Sequence, residues 1–91
     1  MLKVKLSRQA DRFLQKIPAK HGKQIAERIQ ILRDDPASLP TEDLKGHSPF
    51  RRLKSGKYRV VYFIEDETLF VTLIGKRNDD EIYKQIARFQ K

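Results

Sequence analysis

Between Leu44 and Ile64 the chain carries Lys45, Arg51, Arg52, Lys54, Lys57 and Arg59 and not one acidic residue, with Tyr58 and Tyr62 set among them in "FRRLKSGKYRVVYFIE". Guanidinium groups stay charged and grip phosphate oxygens in a two-pronged fork, so a block of this kind suits phosphodiester chemistry. Arginine, lysine and tyrosine run that chemistry when the substrate brings its own nucleophile, as the 2′-hydroxyl of RNA does. The attack then needs a base for the hydroxyl, cations for the extra charge of the transition state and help for the leaving 5′-oxygen.

Other catalytic toolkits are poorly supplied. There is no cysteine, which removes disulfides and thiolate metal sites and any need for an oxidising compartment. The acids gather at Asp34-Asp35, Glu42-Asp43, 65–67 and 79–81, in turns and helix first turns where capping explains them, so no metal site and no cofactor is expected. His21 falls in a helix first turn and reads as a surface residue, whereas His47 lies in the loop beside the basic block, within reach of a substrate there. Gly46, Gly56 and Gly75 stand isolated, so no glycine-rich phosphate loop exists. The net charge of +8, from 20 Lys plus Arg against 12 Asp plus Glu, calls for a polyanionic partner: nucleic acid, an anionic membrane surface or an acidic protein.

The elements that must position these side chains follow from periodicity. Residues 2–6, "LKVKL", alternate as a half-buried strand. Ser7 is an N-cap for a helix with Ala10, Phe13, Leu14 and Ile17 on one stripe, ended by Pro18. A second helix is expected over 19–33, with Ile25, Ile29 and Leu32 inward and Pro36 stopping it. "PASLPTEDLKGHSP" reads as a loop. "FRRLK", "KYRVVYFIE" and "TLFVTLIGK" read as three antiparallel strands with turns at Ser55-Gly56 and Asp66-Glu67. Asn78 followed by Glu81 resembles a capping box, and Ile82, Ile86 and Phe89 supply the apolar stripe of an expected last helix. The expectation is one small α+β domain over 1–91, in the order βααβββα, with a mostly antiparallel sheet and helices packed on one face. The other sheet face stays partly apolar and rimmed with cations. No apolar run approaches the roughly 20 residues of a membrane span and the charged N-terminus is unlike a signal peptide, which points to a cytoplasmic protein without a membrane partner.

The order and spacing of "LKG…FRRLKSGKYRVVYFI…LFVTLIGKRNDDEIY", from Leu44 to Tyr83, with a β-α-α unit before it, resembles the RelE toxins of type II toxin–antitoxin modules, in the wider RelE/ParE superfamily. The resemblance implies a toxin, monomeric when free, that enters the ribosomal A site and cuts messenger RNA there without a metal, through 2′-hydroxyl attack, leaving a 2′,3′-cyclic phosphate and a 5′-hydroxyl. It implies a RelB-like antitoxin partner with an acidic, helical C-terminal segment. On this reading Arg59 stands at a phosphate-binding arginine, Arg77 at the arginine next to the leaving group, and Tyr83 at a tyrosine contacting the nucleotide and the attacking hydroxyl. Where such toxins often carry two lysines, this chain has Phe50 and Arg52, with Lys54 two residues further on the same face. Arginine hardly ever yields its proton, which leaves Lys54 as the candidate base or Arg52 as an electrostatic helper. Lys45, Arg51, Lys57 and Lys76 are assigned to RNA and ribosome binding.

Two other readings stay open. A ParE-like inhibitor of DNA gyrase would share the scaffold and cut no RNA, though that branch generally lacks "GKR" with its following tyrosine. A catalytically weak RNA-binding module would use the charge together with Tyr58, Tyr62 and Phe63. Geometry adds one demand. A two-residue turn at Asp66-Glu67 pairs 65 with 68 and hence 59 with 74, which sets Arg59 and Arg77 on opposite faces. A common site therefore requires an irregularity, expected at Gly75.

Overall fold

The computed structural model describes residues 1–44, 46–47, 49–76, 82 and 84–86. Strand β1 (Lys3–Leu6) leads into helix α1 (Arg8–Lys16) through Ser7, whose hydroxyl oxygen accepts from the Ala10 N–H at 3.0 Å as the N-cap. Ile17 is extended because it precedes Pro18, and helix α2 (Ala19–Asp34) starts directly after that proline. Four strands follow: β2 (Thr41–Asp43), β3 (Arg51–Ser55), β4 (Tyr58–Glu65) and β5 (Thr68–Lys76), and residues 82 and 84–86 are helical. Among the described residues no helix is long and apolar enough to cross a membrane.

The five strands form one sheet in the order β1-β5-β4-β3-β2, parallel only between β1 and β5. Side-chain alternation along β4 sorts the core into two layers. Tyr58, Val60 and Tyr62, with Leu53, Leu69, Val71 and Ile74, bury against Ala10 of α1 and Ile25, Ile29 and Leu32 of α2. Each such aliphatic side chain contributes about 1.5–3 kcal/mol of transfer free energy. Val61 and Leu73 face the other way and pack with Leu44, Phe50, Ile82 and Ile86. The expectation of helices on one face thus describes α1 and α2, while Ile82 and Ile86 cover part of the second face.

Two expectations need correction. The segment read as a loop contains β2, paired to β3 through Thr41↔Leu53, Glu42↔Arg52 and Asp43↔Arg51. These residues are too polar and too few to show alternation; the strand exists because its acids meet the arginines of β3 across the ladder. The irregularity in β5 is also elsewhere. Glu65 pairs with Thr68 as expected, yet Tyr62 pairs with Val71 and Val61 with Leu73, so the extra residue is Thr72. Beyond it the ladder is regular, Arg59 pairs with Gly75 in place of residue 74, and Tyr58 with Lys76. The extra residue flips the parity of β5, and Gly75 comes onto the face of Arg59.

The bulge is held by α1. The Ser7 O–H donates to the Thr72 carbonyl at 2.7 Å, and the Ser7 N–H to the Val71 carbonyl at 2.9 Å. The Gln9 amide then takes over where β1 ends: its Nε2 donates to the Ile74 carbonyl at 2.8 Å and its Oε1 accepts from the Ile74 N–H at 3.0 Å. A side chain thereby completes the pairing of a strand edge.

Candidate functional site

On β3, Leu53 belongs to the layer under α1 and α2, so Arg52 and Lys54 face the other side. Their partners on β4 are Val61 and Arg59, and Arg59 has Gly75 on its far side. One row across the sheet therefore reads Lys54, Arg59, Gly75; the next reads Glu42, Arg52, Val61, Leu73. Arg52, Lys54 and Arg59 form a cationic patch on the face that Ile82 and Ile86 share.

Each cation is held differently. Arg59 is only 8% exposed, and its Nη1 donates to the carbonyls of Tyr58 at 3.1 Å and Gly56 at 3.3 Å. Those contacts draw the guanidinium toward the two-residue turn Gly56-Lys57, where Gly56 has φ +60°. The turn lies one residue later than the expected Ser55-Gly56. Glu65, the one acid of β4, stands at the other end of that strand from Arg59. Arg52 donates from Nη2 to Glu42 at 2.6 Å, with its side chain 11% exposed. Lys54 is exposed, with only a cation opposite it on β4.

The remaining assignments divide. Arg51 points to the opposite face, where it pairs with Asp43 and donates to Thr41 Oγ1 from Nη2 at 3.0 Å and from Nε at 3.2 Å. The structure does not bring it to the patch. Lys57 is exposed in the turn, with its Nζ 5.7 Å from the Tyr58 ring centre, and Lys76 is exposed at the end of β5, opposite Tyr58. Lys45, Arg77 and Tyr83 lie outside the described residues, as does the capping box at Asn78 and Glu81.

The aromatic residues invoked for base stacking are mostly structural. Tyr58 is 2% exposed and meets Phe13 edge-on at 5.8 Å, while Tyr62 is buried in the core. Phe63 is half-buried and stacks on Phe70 at 4.8 Å. His21, read as a surface residue, is half-buried, with its ring centre 5.4 Å from that of Tyr58. Two residues important to this geometry escaped the sequence reading. Thr72 is a strand-former with no glycine or proline to announce a bulge, and Gln9 shows only as a polar position on the inner side of α1.

What this arrangement can do chemically is bind an oxyanion. A guanidinium held by two carbonyls, with a lysine as its partner across the ladder, is preorganised for a phosphate carrying extra charge.

The sequence profile of the ParE toxin of type II toxin–antitoxin systems, parDE, matches residues 4–81. No functionally curated protein matches the chain. Among solved structures, a double mutant of the Escherichia coli toxin RelE in the free state superposes with a TM-score of 0.81, covering 99% of this chain and 98% of that one at 19% identity. A chain of the archaeal RelE–RelB complex from Pyrococcus horikoshii gives a TM-score of 0.70, covering 85% and 96% at 24% identity. A chain of the RelBE2 toxin–antitoxin complex from Mycobacterium tuberculosis gives 0.71, covering 84% and 98% at 22% identity. At these identities the structural likeness is one of fold. The matched profile, which spans most of the sequence, identifies the family: the chain belongs to the ParE toxins of type II toxin–antitoxin systems, within the RelE/ParE superfamily.

Proposed function

We propose that this toxin is a ribosome-dependent endoribonuclease that cuts messenger RNA in the A site without a metal. The observation that carries the reading is the row in which Lys54 stands directly across from Arg59, beside Arg52 on the same face. Arg59 binds the scissile phosphate and stabilises the added negative charge. Lys54, once its own proton has passed to water, takes the proton of the 2′-hydroxyl as its oxygen bonds to phosphorus, and Arg52 contributes electrostatically. The bond from phosphorus to the 5′-oxygen breaks with the Arg77 charge beside it, and water protonates the departing oxygen, giving a 2′,3′-cyclic phosphate and a 5′-hydroxyl. Tyr83 contacts the nucleotide and the attacking hydroxyl. Lys45, Lys57 and Lys76 bind RNA and ribosome around this centre, and Arg51 does so from the opposite face of the sheet.

A cognate antitoxin is the second partner. Several similar structures are RelE–RelB or RelBE complexes, which supports it. An acidic, helical segment covering the basic face would hold the toxin, itself monomeric when free, inactive.

The matching profile is that of ParE toxins, and this favours keeping a second reading, inhibition of DNA gyrase by binding alone. Primer extension on a translated message after brief induction separates the two. Discrete cuts within codons support the nuclease; an intact message with DNA-damage signalling supports the gyrase inhibitor and overturns the nuclease.

A further inference from the structure

β2 is shorter than the strand it borders. Its first residue, Thr41, pairs with Leu53, so β3 runs on past it with Lys54 and Ser55. At this end of β2 a notch of about 390 Å³ opens at the sheet edge, lined by Pro40, Thr41 and Glu42 on one side, Arg52, Leu53 and Lys54 on another, and Arg28 of α2.

The charges in this notch do not balance. Among the described residues its one carboxylate is Glu42, which Arg52 engages at 2.6 Å. Arg28 is half-buried, and its Nε is buried yet makes no hydrogen bond among the described residues. A solvated surface arginine would keep its head in water and away from other cations. Here the Nε of one is buried in a cleft that Arg52 and Lys54 also line, and the apolar side chains of Pro40 and Leu53 there strengthen the field. Among the described residues Arg28 and Lys54 have no carboxylate in this cleft beyond the one Arg52 engages; such an excess of cations suits an anion, and a guanidinium fork suits phosphate.

We propose that this notch is a second phosphate subsite, which takes the phosphodiester next to the scissile one on the same RNA strand. The proposal rests on the reading of Arg52, Lys54 and Arg59 as the scissile-phosphate patch, because Lys54 lines the notch and also stands in the row with Arg59. The strand thus crosses the sheet edge from Arg59 over Lys54 to Arg28, and Arg28 is a binding residue remote from the reacting atoms.

The test compares two uncleavable RNA probes on the purified chain: a dinucleotide with one phosphodiester and a trinucleotide with two, both 2′-deoxy at the cleavage position. The trinucleotide is expected to bind about tenfold more tightly, the gain of a charge-assisted contact. Its log-affinity is expected to fall with log-salt about 0.7 more steeply, for one further phosphate on a single strand. Arg28→Gln removes both differences, Arg28→Lys restores part of the salt slope, and Arg8→Gln on the outer surface of α1 changes neither. An unaltered trinucleotide gain in Arg28→Gln, with an unaltered fold by circular dichroism, overturns the subsite. So does Arg28-dependent capture of an acidic peptide in place of RNA. Absence of dinucleotide binding counts separately, against the scissile-phosphate reading of Arg59 and Lys54.

Discussion

Lys54 and Arg59 are direct partners across the β3–β4 ladder, so two cations face each other on one side of the sheet. Directly opposed like charges destabilise a strand pair, and nothing in the packing requires a cation at position 54, where the side chain is exposed. The fold tolerates this pair, and does not create it. Lys54→Met is therefore expected to raise stability, by about 0.2–1 kcal/mol in urea denaturation, while weakening cleavage on translating ribosomes. A variant that is less stable and equally active would show that Lys54 serves the fold.

Arg59 is bound to its own turn through Nη1, so its position survives without substrate. Arg59→Ala is expected to lower the cleavage rate by roughly 10²–10³, comparable to removing an oxyanion donor. Arg59→Lys keeps the charge and loses the fork, so it should recover only a small part. Single-turnover cleavage of a ribosome-bound message reads both.

Gln9 is a fold residue with a functional address. Replacing it with Ala removes both bonds to Ile74 and leaves a backbone N–H and carbonyl on the edge of β5 without their partner. The expected cost is about 1–3 kcal/mol, seen as a lower urea midpoint. Hydrogen exchange should locate the change at Ile74, with faster exchange there than in β3.

The turn between β4 and β5 places two non-glycine residues in the left-handed region, Asp66 at φ 50° and Glu67 at φ 61°. Aspartate enters this region more readily than glutamate. Glu67→Gly is expected to stabilise the protein by about 1 kcal/mol in thermal unfolding, with activity unchanged, since among the described residues Glu67 is engaged through its carbonyl, which accepts from the Lys3 N–H at 3.0 Å and which glycine keeps.

How much of this could be read in the amino-acid sequence follows from which interactions are local. Ser7 caps α1 and the Asp66-Glu67 turn pairs Glu65 with Thr68, because caps and two-residue turns depend on neighbours in the chain. The alternation of β4 marks its two faces, and Arg52, Lys54 and Arg59 share one of them. β2 stayed hidden because Thr41, Glu42 and Asp43 have no apolar face and owe their pairing to arginines about ten residues away. The parity problem was legible, since the register counted from the turn separates Arg59 from the odd positions of β5. Its solution at Thr72 was not. The anchors of that bulge are Ser7 and Gln9, which lie 65 residues from their carbonyl partners, and no local signal records such a contact.

Residue 72 also governs how this chain is to be compared or recombined with its relatives. Aligning β5 on turn spacing alone assigns Leu73 and Gly75 to the wrong side of the sheet, and a gap placed on the far side of Thr72 turns core positions into surface ones. A chimera that exchanges β5 between toxins must carry its own inserted residue, and the α1 side chains that seat it, as a single heritable unit.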